Sequence, residues 1–393
     1  MSMQKTLNGN QSIAEAVRQI DPDVIGAYPI TPSTAIIETI AQFKADGLIS
    51  GEFVCPESEH SAMSVCIGAS AAGGRVMTAT ASQGLALMYE MLYIAAGLRL
   101  PIVAAIANRA LSVPINIHCD HSDTMGGRDS GWIQIYSENC QEAYDNFIQA
   151  FRIGEHLDVR TPVLVGLDGF IISHSLEVIQ VEDDQSVKDF VGEFQLVYPL
   201  LDTDQRITVG PLDFTDYYFE HKRNQLEGIE NAPSIIEAVG EEFGQKFGRS
   251  YSMFEEYRTE DADVCIVVMS SAAGTGKDAV DVMREEGNKV GLLKPRIFRP
   301  FPHEKLAAAL KDFSAVAVLD RSVSPGAFGG PLFSEVRSAL YDFDRRPRVV
   351  NYIYGLGGRD IKVEHFRQVG DKLGKIAETG KVEDIYGYLN LRE

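Results

Sequence analysis

The chain lacks the features that would place it in a membrane, on nucleic acid or around a metal. No apolar run reaches the ~18 residues a membrane-spanning helix needs. The start, Met1 to Ile13, carries one lysine and no apolar core of signal-peptide length. Basic residues are scarce: 36 Lys and Arg stand against 56 Asp and Glu, a net charge of −20. That argues against nucleic acid and anionic membrane surfaces, both of which need a basic face. Cysteine is sparse as well. Cys55, Cys66, Cys119, Cys140 and Cys265 are scattered, with no C-x-x-C and no metal-type pairing. The expectation is a reduced, cytoplasmic chain that binds no metal and holds no iron–sulfur or zinc site of its own.

What is present describes an α/β protein. At 393 residues the chain exceeds one ordinary domain. Short apolar runs alternate with helical spacing through the first 180 residues. Residues 9–19 predict a helix capped near Asn10 or Ser12, and Val24 to Ala27 a buried strand. Ser33 opens a helix carrying Ile36, Ile37 and Ile40. Further strands are expected at Phe53–Cys55, Arg75–Thr80, Ile102–Ala107 and Pro162–Leu167, with a long apolar helix from Ser82 through Ala96 and another over 139–157. This alternation predicts a doubly wound parallel sheet. Residues 181–234 lose it and read as a connecting arm. From Ile235 an amphipathic helix leads into a second α/β domain ending at 393, with strands at Val264–Met269, Val290–Leu293, Ala315–Leu319 and Val349–Ile353.

Several polar residues follow strands of the first sheet. In Gly26-Ala27-Tyr28-Pro29-Ile30-Thr31-Pro32-Ser33 two prolines stiffen the turn between strand and helix and hold Thr31 between them. Glu57 and Glu59, with His60 beside them, follow the next strand. On an extended backbone the two carboxylates share one face, and the alternative is a helix start that favours acidic residues. Arg109 follows Ile102–Ala107 and offers a planar fork for a carboxylate; the alternative is a surface ion pair. Thr31, Glu59 and Arg109 thus fall on one sheet edge. The segment Val113 to Trp132, with His118, Asp120, His121, Asp123, Arg128 and Asp129, reads as a solvated loop or partner contact, with a metal site as the alternative. Gly274-Thr275-Gly276-Lys277 fails the phosphate-loop pattern, because position 271 is Ser and Asp278 follows the lysine, and packing is the expected role.

Together, Tyr28–Ser33, Glu57-Ser58-Glu59-His60, Thr80-Ala81-Ser82-Gln83-Gly84 and Asn108-Arg109 resemble the 2-oxoacid:ferredoxin oxidoreductases, most of all the α subunits of their multi-subunit pyruvate-using members. Gly131–Gln134, Leu167–Phe170, Gly210-Pro211 and Phe298–Pro302 extend the resemblance over nearly the whole chain. It implies a pyrimidine-type thiamine diphosphate-binding domain over 1–180. A smaller transketolase C-terminal-like α/β domain would follow over 235–393. It also implies oxidative decarboxylation of pyruvate with coenzyme A to acetyl-CoA and CO2, electrons passing to ferredoxin. Glu59 would hold the cofactor's aminopyrimidine, Pro29 and Ile30 would contact the cofactor, and Thr31 and Arg109 would bind the 2-oxoacid. Only Leu167-Asp168-Gly169 comes near the diphosphate–magnesium motif of thiamine enzymes. Thiamine diphosphate is therefore expected to be shared with a β subunit, with Mg2+ and [4Fe-4S] clusters on β, γ and δ partners. A 2-oxoglutarate or branched-chain 2-oxoacid enzyme and a non-catalytic scaffold stay open as other readings.

Overall fold

The computed structural model describes residues 2–392. In chain order the strands are β1 (Met3–Leu7), β2 (Val24–Gly26), β3 (Glu52–Val54), β4 (Val76–Thr80), β5 (Val103–Asn108), β6 (Ile133–Tyr136), β7 (Val163–Asp168) and β8 (Glu177–Val181). They continue with β9 (Phe254–Tyr257), β10 (Val264–Val268), β11 (Val290–Pro295), β12 (Ile297–Arg299), β13 (Ala315–Asp320), β14 (Arg348–Ile353) and β15 (Tyr386–Tyr388). Seven form a first sheet in the order β12-β6-β7-β5-β4-β2-β3, and six a second in the order β15-β14-β13-β10-β11-β9. The β1 and β8 strands pair antiparallel as a separate ribbon. Within the first sheet every pairing is parallel except that of β12 with β6. In the second, only β9 runs antiparallel.

Both sheets are covered on two faces, which explains why their central strands are apolar throughout. On one face of the first sheet, Ile13 and Val17 of the Gly9–Ile20 helix pack with Tyr144, Phe147 and Phe151 of the Cys140–Glu155 helix. Each such side chain contributes about 1.5–3 kcal/mol of burial. On the other face lies the small-residue helix Glu59–Ala72, packed beside Leu85, Met88 and Leu92. Its approach depends on Gly26, where a Cβ would stand 2.6 Å from the Ala62 carbonyl and 2.9 Å from Cys66 Sγ. The second sheet buries Val264, Ile266 and Phe366 on one side, and Cys265, Val267 and Phe333 on the other.

Some local expectations change. The first helix is capped by Asn8, not Asn10 or Ser12: Asn8 and Gln11 form a reciprocal capping box. Ser33 makes no capping bond. Its hydroxyl donates to the Ile30 carbonyl at 2.8 Å, tightening the proline turn instead. The helix expected from Ser82 to Ala96 is two, Ser82–Leu87 and Tyr89–Gly97, meeting at Met88. Gly274–Lys277 lies inside the Ala272–Glu285 helix, with Gly276 packed on Leu292 and Phe366, and it is a packing element.

The larger differences concern the joins. Residues 181–234 are not an unstructured arm: they hold the end of β8, the Asp184–Val191 helix and the first half of a helix running Tyr218–Phe247. Its buried residues Gln225, Gly228, Ala232, Ile236, Val239 and Phe243 recur at spacings of three and four, and it packs on the Cys140–Glu155 helix. Polar intervening residues and Pro233 hide that pattern in the sequence; tertiary packing carries the helix through the proline. The chain then crosses back once more. The β12 strand, from residues after β11 of the second sheet, pairs with β6 at the edge of the first.

Candidate active site

Glu59 opens its helix, one residue after the Ser58 cap whose hydroxyl accepts the Ser61 N–H. That placement sends Glu59 inward, 8% exposed, while Glu57 stays at the surface and accepts a hydrogen bond from the Ser61 hydroxyl at 2.6 Å. The shared carboxylate face expected from an extended backbone is not formed, because the chain has already turned into the helix at Glu59. His60 points away as well, toward Glu90. The Glu59 carboxylate has no hydrogen-bond or ion-pair partner among the described residues. It faces the end of β4, where a Cβ on Gly84 would lie 2.8 Å from Glu59 Oε1 and 2.4 Å from Thr80 Oγ1. Thr80 Oγ1 is itself buried without a hydrogen-bond partner. Two buried polar groups without partners among the described residues, brought together over a glycine that permits their close approach, are the features of a polar ligand site.

Arg109 follows β5 and is 7% exposed. Its Nε donates to the Asn116 carbonyl at 2.9 Å and its Nη1 to the Thr31 carbonyl at 3.0 Å. The structure thus brings Arg109 and the proline turn together, and no carboxylate among the described residues pairs with the guanidinium. A buried cation without an anionic partner, in a chain of net charge −20, is a place for an anionic ligand. The turn is fixed from below by Asn10, whose Nδ2 donates to the Pro32 carbonyl at 2.9 Å. Thr31 and Pro29 are exposed on it, with Ile30 partly covered.

The segment Val113 to Trp132 divides: most of 113–118 is exposed loop, whereas the part that follows turns inward. Asp120, His121, Asp123 and Thr124 are buried, and residues Ser122–Gly126 form a short helix. The polar side chains sit inside because each finds partners there. Asp123 binds backbone and side-chain donors at the ends of β4 and β5. His121 Nε2 lies 2.8 Å from Asp168 Oδ1 at the end of β7. His118, Asp120, His121 and Asp123 do not converge on one point, and His118 lies against Phe170. Cys119, His121 and Asp168 do converge, but Arg321 Nη1 donates to Asp168 Oδ2 at 2.8 Å and already supplies its counter-charge. Burial alone would raise the Asp168 pKa; Arg321 and then His121 hold it well below the usual carboxylate range. Ser271 Oγ also donates to it, so the last residue of β7 is tied to the ends of β10 and β13.

Sequence reasoning found Glu59, Thr31 and Arg109 because each follows an apolar strand. It gave Thr80 no site role of its own, Asn10 only that of a helix cap, and Asp123 only a place in a loop with a metal site as the alternative. For Thr80 the signal was available: a hydroxyl at a strand end, four residues before a glycine.

Comparison with known proteins now decides the class. A model described as pyruvate flavodoxin/ferredoxin oxidoreductase, thiamine diphosphate-binding, matches residues 15–241, and one described as pyruvate:ferredoxin oxidoreductase core domain II matches 262–366. The chain belongs to the pyruvate:ferredoxin oxidoreductase family. It is 54% identical to pyruvate synthase subunit PorA of Thermotoga maritima, over 98% of each chain. It is 48% identical to the PorA subunit of Methanocaldococcus jannaschii, over 93% of each chain. Ketoisovalerate oxidoreductase subunit VorA of Pyrococcus abyssi is 44% identical over 99% of this chain and 98% of that one. A solved 2-oxoglutarate:ferredoxin oxidoreductase from Magnetococcus marinus superimposes with a TM-score of 0.73 at 20% identity, covering 95% of this chain; this chain spans 65% of that one. A split-gene transketolase matches with a TM-score of 0.53 at 13% identity, over 95% of this chain and 97% of that one. The family fold is therefore a thiamine diphosphate-binding α/β domain followed by a smaller α/β domain.

Proposed function

We propose that this chain is the α-type subunit of a pyruvate synthase and contributes one wall of a thiamine diphosphate site that a partner subunit completes. The observation that carries the reading is the buried, unpartnered Glu59 carboxylate beside Gly84 and the unsatisfied Thr80 hydroxyl. A carboxylate there would accept a hydrogen bond from a protonated ring nitrogen of the aminopyrimidine, with Pro29 and Ile30 forming the adjacent wall. When bound, thiamine diphosphate supplies the carbon nucleophile and electron sink that 2-oxoacid decarboxylation needs. Glu59 would hold the ring in its imino tautomer, the form able to accept the proton lost when that carbon nucleophile is made. Arg109 pairs with the carboxylate of the 2-oxoacid, and its bond to the Thr31 carbonyl keeps the threonine hydroxyl beside it. In this reading Asp168, ion-paired with Arg321, takes no part in holding the diphosphate. That group, its Mg2+, the iron–sulfur clusters and the ferredoxin contact fall to β, γ and δ partners, in a cytoplasmic assembly consistent with five free cysteines.

The higher identity to the Thermotoga and Methanocaldococcus pyruvate synthase subunits than to the ketoisovalerate subunit favours pyruvate. Steady-state rates of the assembled enzyme on pyruvate, 2-oxoglutarate and 2-oxoisovalerate with a ferredoxin-type acceptor test it. A preference for either of the other two acids overturns the choice of substrate. Unchanged thiamine-dependent decarboxylation in Glu59→Ala overturns the catalytic reading and leaves the chain a scaffold.

A further inference from the structure

Asp123 comes from the connection after β5, yet its carboxylate sits between two strand ends. Its Oδ2 accepts the backbone N–H of Arg109 at 2.9 Å and that of Ser82 at 3.0 Å. Its Oδ1 accepts Asn108 Nδ2 at 2.9 Å and the Thr124 N–H at 2.7 Å. The short helix that carries Asp123 is itself fixed. Gln134 Nε2 donates to the Thr124 carbonyl at 3.1 Å, and the Tyr136 hydroxyl donates to Thr124 Oγ1 at 2.7 Å.

The two groups sharing Oδ2 are the ones whose spacing matters. Ser82 begins the turn that sets Gly84 against Glu59, and it does so with φ +46°, a left-handed conformation strained for serine. Its backbone N–H then points at Asp123, and its hydroxyl donates to the Ala110 carbonyl at 2.7 Å. Arg109 carries the guanidinium that reaches Thr31. We infer that Asp123 is a positioning residue, holding the backbone N–H groups of Ser82 and Arg109 on one oxygen and so fixing the substrate arginine relative to the Glu59–Gly84 pocket. This rests on the roles proposed above for Glu59 and Arg109. Burial pushes the Asp123 pKa up to about 6 against the pull of its donors, so the charged form holds the two strand ends at neutral pH.

The test uses the assembled enzyme. Asp123→Asn replaces one acceptor oxygen by an amide that can only donate, so in either orientation two of the four donors face another donor. The expected result is a rise in substrate KM on the order of tenfold with a smaller change in kcat. Amide exchange at Ser82 and Arg109 becomes faster. Loss of folded enzyme alone would lower the total rate and leave KM where it was. Asn108→Ser withdraws a single donor and gives a smaller rise in KM in the same direction; it decides the matter if Asp123→Asn does not assemble. An unchanged KM in the deciding variant overturns the inference, whatever the change in melting temperature. Arg109→Lys, run alongside, separates the two readings. If it leaves KM unchanged, the substrate role of Arg109 has failed and the inference falls with it. If it raises KM where Asp123→Asn does not, only the positioning role has failed.

Discussion

Two clusters of charged residues stand at strand ends in this chain, and they follow opposite rules. At the ends of β4 and β5, Glu59 has no partner, Thr80 Oγ1 is unsatisfied, and Arg109 binds only carbonyl oxygens. At the end of β7, Asp168 binds His121, Arg321 and Ser271, and Arg321 is tied in turn to the Gly355 carbonyl. Both clusters are buried. In the first, the cost of burial is left for a ligand to offset; in the second, it is offset within the protein. A buried charge therefore identifies a site only once its partners have been counted.

The comparison breaks most sharply at Glu59. Glu59→Ala is expected to lower 2-oxoacid decarboxylation by the assembled enzyme roughly 10²–10⁴-fold. Its melting temperature should not fall, since no internal bond is lost. At the paired cluster the effect falls on stability. Asp168→Asn leaves Arg321 buried without its counter-charge and is expected to cost about 3–5 kcal/mol in denaturant unfolding. Because the folded pKa of Asp168 is depressed, its contribution is complete above the unfolded value of about 4 and is lost as pH falls below it. Unfolding measured from pH 6 to pH 2 should lose this acid-dependent part in Asp168→Asn. Arg109→Lys keeps the charge but removes the fork, and is expected to raise substrate KM about tenfold or more and to lower stability by about 1 kcal/mol, since lysine cannot keep both carbonyl bonds. Gly84→Ala is the mildest. The added methyl would stand 2.8 Å from Glu59 Oε1 and 2.4 Å from Thr80 Oγ1, and thermal unfolding should show stability lowered by about 1–3 kcal/mol, the usual cost of overpacking.

The sequence carries these two clusters unequally. Phe53–Cys55 before Glu59 and Ile102–Ala107 before Arg109 are apolar runs, so the residues following them were identifiable as edge residues. Glu59 and Arg109 could be chosen on that ground. The paired cluster was hidden, because the density of His and Asp over 118–129 reads as solvent exposure. What reverses it is a set of partners far along the chain: Asp168 for His121, and Arg321 for Asp168. Burial of polar residues depends on such long-range pairing, and no local pattern encodes it. For the same reason Glu57 and Glu59 looked equivalent until the Ser58 cap placed one at the surface and the other inside. Of the Tyr218–Phe247 helix only the part from Ile235 was expected; its buried residues keep helical spacing on both sides of Pro233.

The three residues of β12 bear on how the molecule can be divided. Ile297 and Arg299 complete the open side of β6, although the chain reaches them only after passing through β9, β10 and β11 of the second sheet. A polypeptide ended near residue 260 would keep the family's whole thiamine-binding region but leave β6, with its buried Ile133, Ile135 and Tyr136, as a bare apolar edge. Such an edge recruits other chains. The first two thirds are expected to aggregate when made alone and to stay dispersed when the last third is supplied in trans. The last third of the gene product thus protects the rest from itself.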